Sequence, residues 1–301
     1  MNGIINLIKP PGISSSGAIR KLKDILNVKK IGHGGTLDPN AVGVLPVLFG
    51  KATRLSEYLL NCDKTYIGEV TFGINTNTQD KWGEITDIHD IRDFSIAKVE
   101  RVLERFRGTI DQTPPMYSAV KVRGQKLYQL ARQGKDIPRS PRRVTIHQID
   151  ILDYDDKYRV LLKVKCSKGT YIRTLFADIG HALGWGGHMS FLLRVDVGVF
   201  NVNDGFTLEE IEDIMSSYGD VGKIALPMDY VLKMYPAVKV NDMGCTYIAN
   251  GRRIDNRSLI DGFIEDLSSG TTVRLYHKDS FVALGIIQNN YIKPTKVFYG
   301  E

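Results

Sequence analysis

Asp38 is the residue around which chemistry can be organised in this chain. It lies in Gly32-His33-Gly34-Gly35-Thr36-Leu37-Asp38-Pro39-Asn40-Ala41-Val42-Gly43-Val44-Leu45-Pro46, and no other acid occurs between Asp24 and Glu57. Glycine reaches backbone conformations that other residues avoid, and Pro39 restricts the chain at and just before itself. The stretch is therefore expected to be a shaped loop presenting one carboxylate, with the His33 imidazole five residues before it. Such an acid suits proton transfer or nucleophilic attack. An ordinary Asp-Pro turn would look the same locally.

A reacting acid needs partners, because an isolated buried carboxylate protonates, whereas a nearby cation keeps it ionised and oriented. The best candidate is Arg173 in Ser167-Lys168-Gly169-Thr170-Tyr171-Ile172-Arg173, where a strand ends and a helix begins. Cations are disfavoured near helix N-termini, so a specific anion partner would explain the arginine, and its planar fork suits a carboxylate. A solvent-facing arginine is the competing reading. Tyr66 and Tyr171 stand in polar surroundings. Each offers a stacking face and a hydroxyl, although most tyrosines serve a core or sheet. Other site types are excluded. Ala52 follows Gly50-Lys51 where a phosphate loop needs Ser or Thr, and Leu37 replaces the third glycine of a dinucleotide fingerprint. No His-Glu-x-x-His and no Gly-x-Ser-x-Gly is present. An acid-based site with no metal and no cofactor is expected.

The elements that must position these residues follow from periodicity. Ser14-Ser15-Ser16 caps a helix reaching about Asn27, with Ala18, Ile19, Leu22, Ile25 and Leu26 as its buried stripe. A strand is expected over 66–73 and a helix over 95–107 closed by Gly108. Segments 143–154 and 158–166 alternate as a hairpin turning at Asp155-Asp156-Lys157. A further helix covers 170–183, and Thr207 with Glu210 forms a capping box. Hairpins mixed with helices indicate an α+β class. Texture changes near Leu226-Pro227. Short β-rich runs then follow, so 1–234 and 235–301 are expected to be a main domain and a small β-barrel-like domain.

The 301 residues, 43% hydrophobic and 25% charged, fit a globular protein with a large core. No apolar run approaches the ~18 residues of a membrane span, and the N-terminus does not read as a signal peptide. Cys62, Cys166 and Cys245 are widely spaced and read as reduced thiols, so a cytoplasmic location is expected. The net charge of +6 is unevenly spread: residues 121–143 carry eight Lys/Arg against one acid, and residues 1–60 eight against three. Two basic clusters on a mildly acidic body suit phosphate backbones and salt-sensitive binding. Solvated helix faces would account for either cluster alone.

Taken in order, the motifs resemble one family, the bacterial TruB-type tRNA pseudouridine synthases. The resemblance rests on Lys9-Pro10-Pro11-Gly12-Ile13-Ser14-Ser15, the Asp38 loop, Asp63-Lys64-Thr65-Tyr66 and Pro114-Pro115-Met116-Tyr117-Ser118-Ala119-Val120-Lys121. It continues through 127–134, Gly169-Thr170-Tyr171-Ile172-Arg173, Leu192-x-Arg194 and Ile248-Ala249-Asn250-Gly251. It implies a pseudouridine-synthase fold with a long mixed, mostly antiparallel sheet flanked by helices and loops, then a C-terminal PUA domain. A basic insertion near 113–143 would clamp RNA. The implied reaction converts uridine to pseudouridine at position 55, in the TΨC loop of tRNA. Asp38 would be the catalytic aspartate, paired with Arg173. Tyr66 would stack on the everted base and assist proton removal at C5, while Tyr171 and Leu192 line the pocket. His33 would take a stacking place in the displaced loop. Lys9, Gly35, Thr36, Lys121, Arg132, Arg142 and Arg143 are the further expected RNA-binding positions. The T stem-loop would be the partner, bound by a monomer with no membrane and no obligate protein partner.

The reaction breaks an N-glycosidic bond and remakes it as C–C, consuming nothing. The carboxylate could attack C1′, attack C6 or remove the 2′ proton to give a glycal; the residues do not choose, and the resemblance favours the glycal. Two positions depart from the family pattern. Gly34 stands where Thr is common and is expected to loosen the loop, and Asp196 is expected to weaken a phosphate contact near Arg194. A glycoside hydrolase would need a second carboxylate, and none is evident near Asp38 or Arg173. A non-catalytic RNA binder would share the charge pattern, but an acid in a basic loop would oppose its binding. A guide-RNA-dependent relative is the third alternative; the basic insertion and compact C-terminus favour a stand-alone enzyme.

Overall fold

The structure is a computed structural model that describes residues 1–122, 124–260, 264 and 267–299. Strand β1 (Gly3–Lys9) opens the chain and is buried along nearly all its length. Helix α1 (Ser15–Leu26) starts where the Ser14 hydroxyl accepts from the Gly17 amide and stops at Asn27 in the left-handed conformation. Ala18, Leu22 and Leu26 form its buried stripe. Strands β2 (Ile31–His33) and β3 (Val42–Phe49) flank the Asp38 loop. Helix α2 (Ser56–Leu60), strand β4 (Lys64–Phe72), the hairpin β5 (Ile74–Thr76) and β6 (Ile85–Ile88), and helix α3 (Ile96–Leu103) follow. Next come β7 (Gly108–Gln112), the minimal hairpin β8 (Lys121–Val122) and β9 (Gln125–Lys126), and helix α4 (Leu127–Ala131). The long hairpin β10 (Arg142–Tyr154) and β11 (Arg159–Cys166) leads into helix α5 (Ile172–Leu183). Strands β12 (Gly187–Val197) and β13 (Phe200–Asn201) and helix α6 (Leu208–Tyr218) come next, the helix with the expected capping box at Thr207 and Glu210. The chain then runs through β14 (Ala237–Val240), α7 (Asp242–Ala249), β15 (Thr272–His277), β16 (Ser280–Gln288) and β17 (Tyr291–Val297).

The main sheet has nine strands in the order β1-β3-β12-β4-β11-β10-β7, with β2 on β3 and β13 on β12. All its pairings are antiparallel except β3 with β12, where Val42 meets Leu193 and Gly43 meets Arg194. This is the mixed, mostly antiparallel sheet of an α+β protein. Val99 and Leu103 of α3 and Leu175, Phe176 and Ile179 of α5 bury Val70, Phe72, Leu162 and Val164. Leu22 and Leu26 of α1 and Ile211 of α6 pack on Ile5, Leu7, Leu45 and Val47. The last four strands form a separate sheet, β14-β15-β16-β17, and isolated bridges Val240–Leu259 and Ile254–Ile292 wrap it further. Leu284 and Phe298 from this end share a core with Ile4, Val44 and Leu48. Arg274 on β15 also pairs with Asp229 at 3.4 Å.

One expectation needs correcting. The stretch 32–46 is not all loop, because β3 begins at Val42 and carries Pro46 opposite Asn6. From Gly43 onward β3 is buried throughout, so it lacks the alternation that marks a half-exposed strand. β1 and β12 are largely covered on both faces for the same reason. The parallel junction explains one glycine: Gly43 has φ +110°, and a Cβ there would lie 2.2 Å from the Arg194 carbonyl oxygen. Gly43→Ala is therefore expected to cost roughly 2 kcal/mol or more in urea unfolding. A stability within about 0.5 kcal/mol of the parent, the usual range for a neutral surface change, would refute this account.

Candidate active site

The loop that carries Asp38 is held from three directions before any substrate arrives. From β1, the fully buried Lys9 ammonium donates to the carbonyls of Pro10, Ile13 and Pro39 at 2.7, 2.9 and 2.8 Å. From β12, the Arg194 guanidinium donates to Gly35 at 3.0 Å, Thr36 at 3.3 Å and Val44 at 2.8 Å. At the start of α1, the Ser15 hydroxyl accepts from the Leu37 amide and donates to its carbonyl, at 2.8 and 2.9 Å. Residues 35, 36, 37 and 39 are thus all tied, and the acid projects between them. Burial pulls Lys9 down from the ordinary lysine value of 10.5 to about 8, opposed by the Asp38 carboxylate and assisted by Arg194.

Asp38 meets Arg173 as a fork, with Nε to Oδ2 at 2.8 Å and Nη2 to Oδ1 at 3.3 Å. The guanidinium is 5% exposed and the carboxylate 39%, so the acid keeps an open face while its partner is buried. Arg173 also donates to the carbonyls of Thr78 and Tyr117, both at 2.9 Å, and lies 3.6 Å from the Asp80 carboxylate. A cation in the first turn of α5 is thereby surrounded by acceptors, which offsets the unfavourable helix dipole. Asp80 corrects the expectation that no second acid lies near Arg173. Its Oδ1 accepts from the Thr78 hydroxyl at 2.7 Å and the Trp82 amide at 3.1 Å. It therefore holds the arginine in place and is not the free second acid of a glycosidase.

Tyr66 on β4 stands directly opposite Arg194 on β12, which is why ring and guanidinium share a face. Its phenol is buried, and desolvation raises its pKa above the usual 10; Arg194 opposes this and Asp38 adds to it. The phenol therefore keeps its proton at neutral pH. Leu37, Ala41, Tyr66, Ile172 and Leu192 belong to one packed cluster, so apolar walls flank the acid. His33 ends β2, and its Nδ1 accepts from the Gly35 amide at 3.2 Å. Burial and Arg194 lower its pKa, leaving a neutral ring. Tyr171 caps α5 and is half-buried. The buried Gln112 side chain bonds both its backbone groups, at 2.8 Å to the amide and 3.0 Å to the carbonyl.

Asp38, Arg173, Tyr66 and Leu192 are thus brought together, with His33, Gly35 and the exposed Thr36 on the loop itself, while Tyr171 stands two residues before Arg173 at the start of α5. Lys9 is a correction. Expected to bind RNA, it is 0% exposed and bonded to three carbonyls, so it positions the loop. Arg142 and Arg143 are exposed on β10, opposite Gln112 and Asp111. Arg132 is exposed beside the Tyr128 ring. Lys121 begins β8, and its side chain lies outside the described residues. Gly34 does not loosen the loop. It is buried, its amide donates to the Pro46 carbonyl at 2.9 Å, and a Cβ would lie 2.4 Å from Leu59. Asp196 accepts from Asn201 at 2.5 Å, and the buried Arg194 leaves no phosphate contact there to weaken. Asp80, Arg194 as a clamp, and Gln112 were not anticipated. Only Arg194 gave a signal, being a charge inside the apolar run Phe191–Val195. Among the described residues no group of three His, Cys, Asp or Glu could hold a metal ion.

Comparisons with known proteins identify the family of the chain. A model of the TruB family pseudouridylate synthase N-terminal domain matches residues 23–172, and one of the tRNA pseudouridylate synthase B C-terminal domain matches 173–233. The chain is 39% identical over 300 residues to tRNA pseudouridine synthase B of Caldanaerobacter subterraneus subsp. tengcongensis, covering 99% of each. It is 43% identical to the protein of the same name from Alkaliphilus oremlandii, again over 99% of each. Among solved structures it is similar to a chain of a Cbf5-Nop10-Gar1 complex, with TM-score 0.75, 30% identity, and 99% of this chain and 85% of that one covered.

Two outcomes follow from the clamp. Asp80→Asn is expected to lower kcat roughly ten- to a hundredfold by letting Arg173 drift; a kcat within twofold of the parent would exclude that role. Lys64, buried and donating to the Leu59, Leu60 and Cys62 carbonyls at the end of α2, is also pulled from 10.5 to about 8 by burial. Between these values the unfolded chain binds more protons than the folded one, so Lys9 and Lys64 make stability rise with pH from about 8 to 10.5. Below pH 8 the whole cost of burying the ammonium is present. Urea midpoints from pH 7.5 to 9.5 should climb less steeply in Lys64→Met than in the parent, and identical slopes would contradict the assignment.

Proposed function

This chain belongs to the TruB family of pseudouridylate synthases, an isomerase acting on tRNA uridine, and we propose that its target is the uridine at position 55 of the TΨC loop. The observation that carries the reading is the forked Asp38–Arg173 pair on a loop clamped at four residues, walled by Tyr66 and Leu192. The open face of Asp38 receives the ribose of a uridine turned out of the stack. Eversion costs a few kcal/mol, which contacts to flanking nucleotides offset. Arg173 fixes the carboxylate so that both oxygens keep their direction throughout the reaction. Removal of the 2′ proton by Asp38, with cleavage of the N1–C1′ bond, would give a glycal, a uracil anion and a protonated Asp38. The apolar walls hold the base while it turns; C5 then bonds to C1′ as Asp38 returns its proton to C2′, and loss of the C5 proton completes the isomerisation.

Tyr66 packs in one cluster with Leu37 and Leu192 and is suited first to stacking on the base. Taking the C5 proton would require its phenol to lose its own, a change that the opposed Arg194 guanidinium favours electrostatically. His33, neutral and backed by the loop, is suited to stack where the everted base has left. Arg132, Arg142 and Arg143 in and beside the 113–143 insertion would meet phosphates, as would Lys121. Residues 235–301 would serve as the PUA-type RNA-binding domain of a cytoplasmic monomer. Because the Cbf5 neighbour is found with Nop10 and Gar1, a partner-dependent reading has to be tested alongside this one.

Purified protein alone, incubated with an unmodified tRNA transcript, should give a carbodiimide-dependent primer-extension stop at position 55. Asp38→Ala should lose that stop completely while binding tRNA within about threefold of the parent, since it removes an acid from a basic surface. Absence of any stop with the parent protein, or turnover surviving in Asp38→Ala, would sink the reading.

A further inference from the structure

The loop that supports Arg173 carries a feature the reaction does not use. Trp82 is 48% exposed, whereas the chain's other tryptophan, Trp185, is 6% exposed and packs against Phe72 and Phe94. A half-bare indole on an ordered loop is unusual, since tryptophan is highly buried on average. The Lys81 ammonium sits 4.8 Å from the centre of the ring, and Lys81 has no carboxylate partner among the described residues. Both side chains are exposed.

This loop is rigid by construction. The Trp82 amide donates to Asp80 Oδ1 at 3.1 Å, the Lys81 amide to the Met189 carbonyl at 2.9 Å, and the Thr76 hydroxyl to the Asp80 carbonyl at 2.7 Å. A Cβ on Gly83 would lie 2.3 Å from the Thr78 hydroxyl, so the turn is as tight as glycine allows. The same loop presents the Thr78 carbonyl and the Asp80 carboxylate to Arg173. One short segment thus contacts Arg173 and also displays an exposed indole with an ammonium beside it.

Turning one nucleotide out of an RNA stack bares the π-face of its neighbour. Exposed aromatic rings accept such faces without regard to sequence, and a cation beside the ring can take the adjoining phosphate. A ring already fixed in place loses little freedom on binding. We propose that Trp82 and Lys81 form a ledge on which a base next to the target uridine stacks, with its phosphate at the lysine. The ledge deepens the tRNA-modifying reading and rests on it for the identity of the RNA. It is a binding element, distinct from the groups that react.

The test uses full-length protein and an unmodified tRNA transcript. In an Asp38→Asn background, which cannot turn over, tRNA should quench the intrinsic fluorescence saturably. Adding Trp82→Phe should abolish the quenching, because the remaining Trp185 lies in the core. Trp82→Ala should weaken Kd about tenfold, Trp82→Phe less than threefold, and Lys81→Ala should reduce the salt dependence of binding. With Asp38 intact, Trp82→Ala should keep kcat at saturating tRNA within twofold. Binding by Trp82→Ala within twofold of the parent, or quenching that persists in Trp82→Phe, would overturn the ledge. So would a fall in kcat with Kd unchanged, which would make Trp82 a mere prop for Asp80. Quenching without any pseudouridine from the parent protein would sink the reaction assignment and leave the ledge standing.

Discussion

Two buried cations, neither paired with a carboxylate among the described residues, hold the loop that carries Asp38, and the rest of the site depends on them. Lys9 and Arg194 are 0% and 1% exposed, and their hydrogen bonds go to backbone carbonyls. Taking such charges out of water is expensive unless every donor finds an acceptor. Here the acceptors are the peptide groups on either side of Asp38, so the cost of burial is met only when the loop has its correct shape. A misplaced loop would strand a charge in the interior. The positive field of these groups also favours negative charge on the nearby Asp38 carboxylate.

Sheet register and one helix turn do the rest of the assembly. Antiparallel pairing of β4 and β12 sets Tyr66 opposite Arg194, and the parallel contact at Gly43 brings β12 alongside the strand that follows the Asp38 loop. Gln112, at the end of β7, pairs its side-chain amide with the Tyr171 backbone just as a neighbouring strand would, and so fixes where α5 begins. Arg173 is two residues further on. An arginine there is a poor choice for the helix itself, and its presence makes sense only through Asp38, Asp80 and two carbonyls.

The sequence revealed the candidate pair Asp38 and Arg173 more readily than its supports. Asp38 stood out because glycine and proline around a lone acid leave few structural explanations, and Arg173 because it opposes a helix dipole. The amphipathic helices and the long hairpin were legible because half of each faces water, which writes burial into a period. β1, β3 and β12 lacked that period because both their faces are covered. Asp80 sat in a polar turn indistinguishable from any other, and Gln112 was a single amide at a strand end. Both act through contacts that span long stretches of chain, which no local pattern records. The same blindness misassigned Lys9: a lysine in a Pro-Gly segment looks solvent-exposed until its three acceptors are seen.

The clamp has a consequence for how the molecule comes to life. Its contacts join residue 9 to 39, 15 to 37, 173 to 38 and 194 to 35 and 36. Bonds of such sequence separation form slowly, because the entropy of closing large loops is lost before they contribute. During synthesis the first 172 residues contain the acid but neither guanidinium that disciplines it. A nascent chain emerging from the ribosome would therefore stay inert until the β12 segment had cleared the exit tunnel and slid in beside β3, making competence one of the last events of maturation.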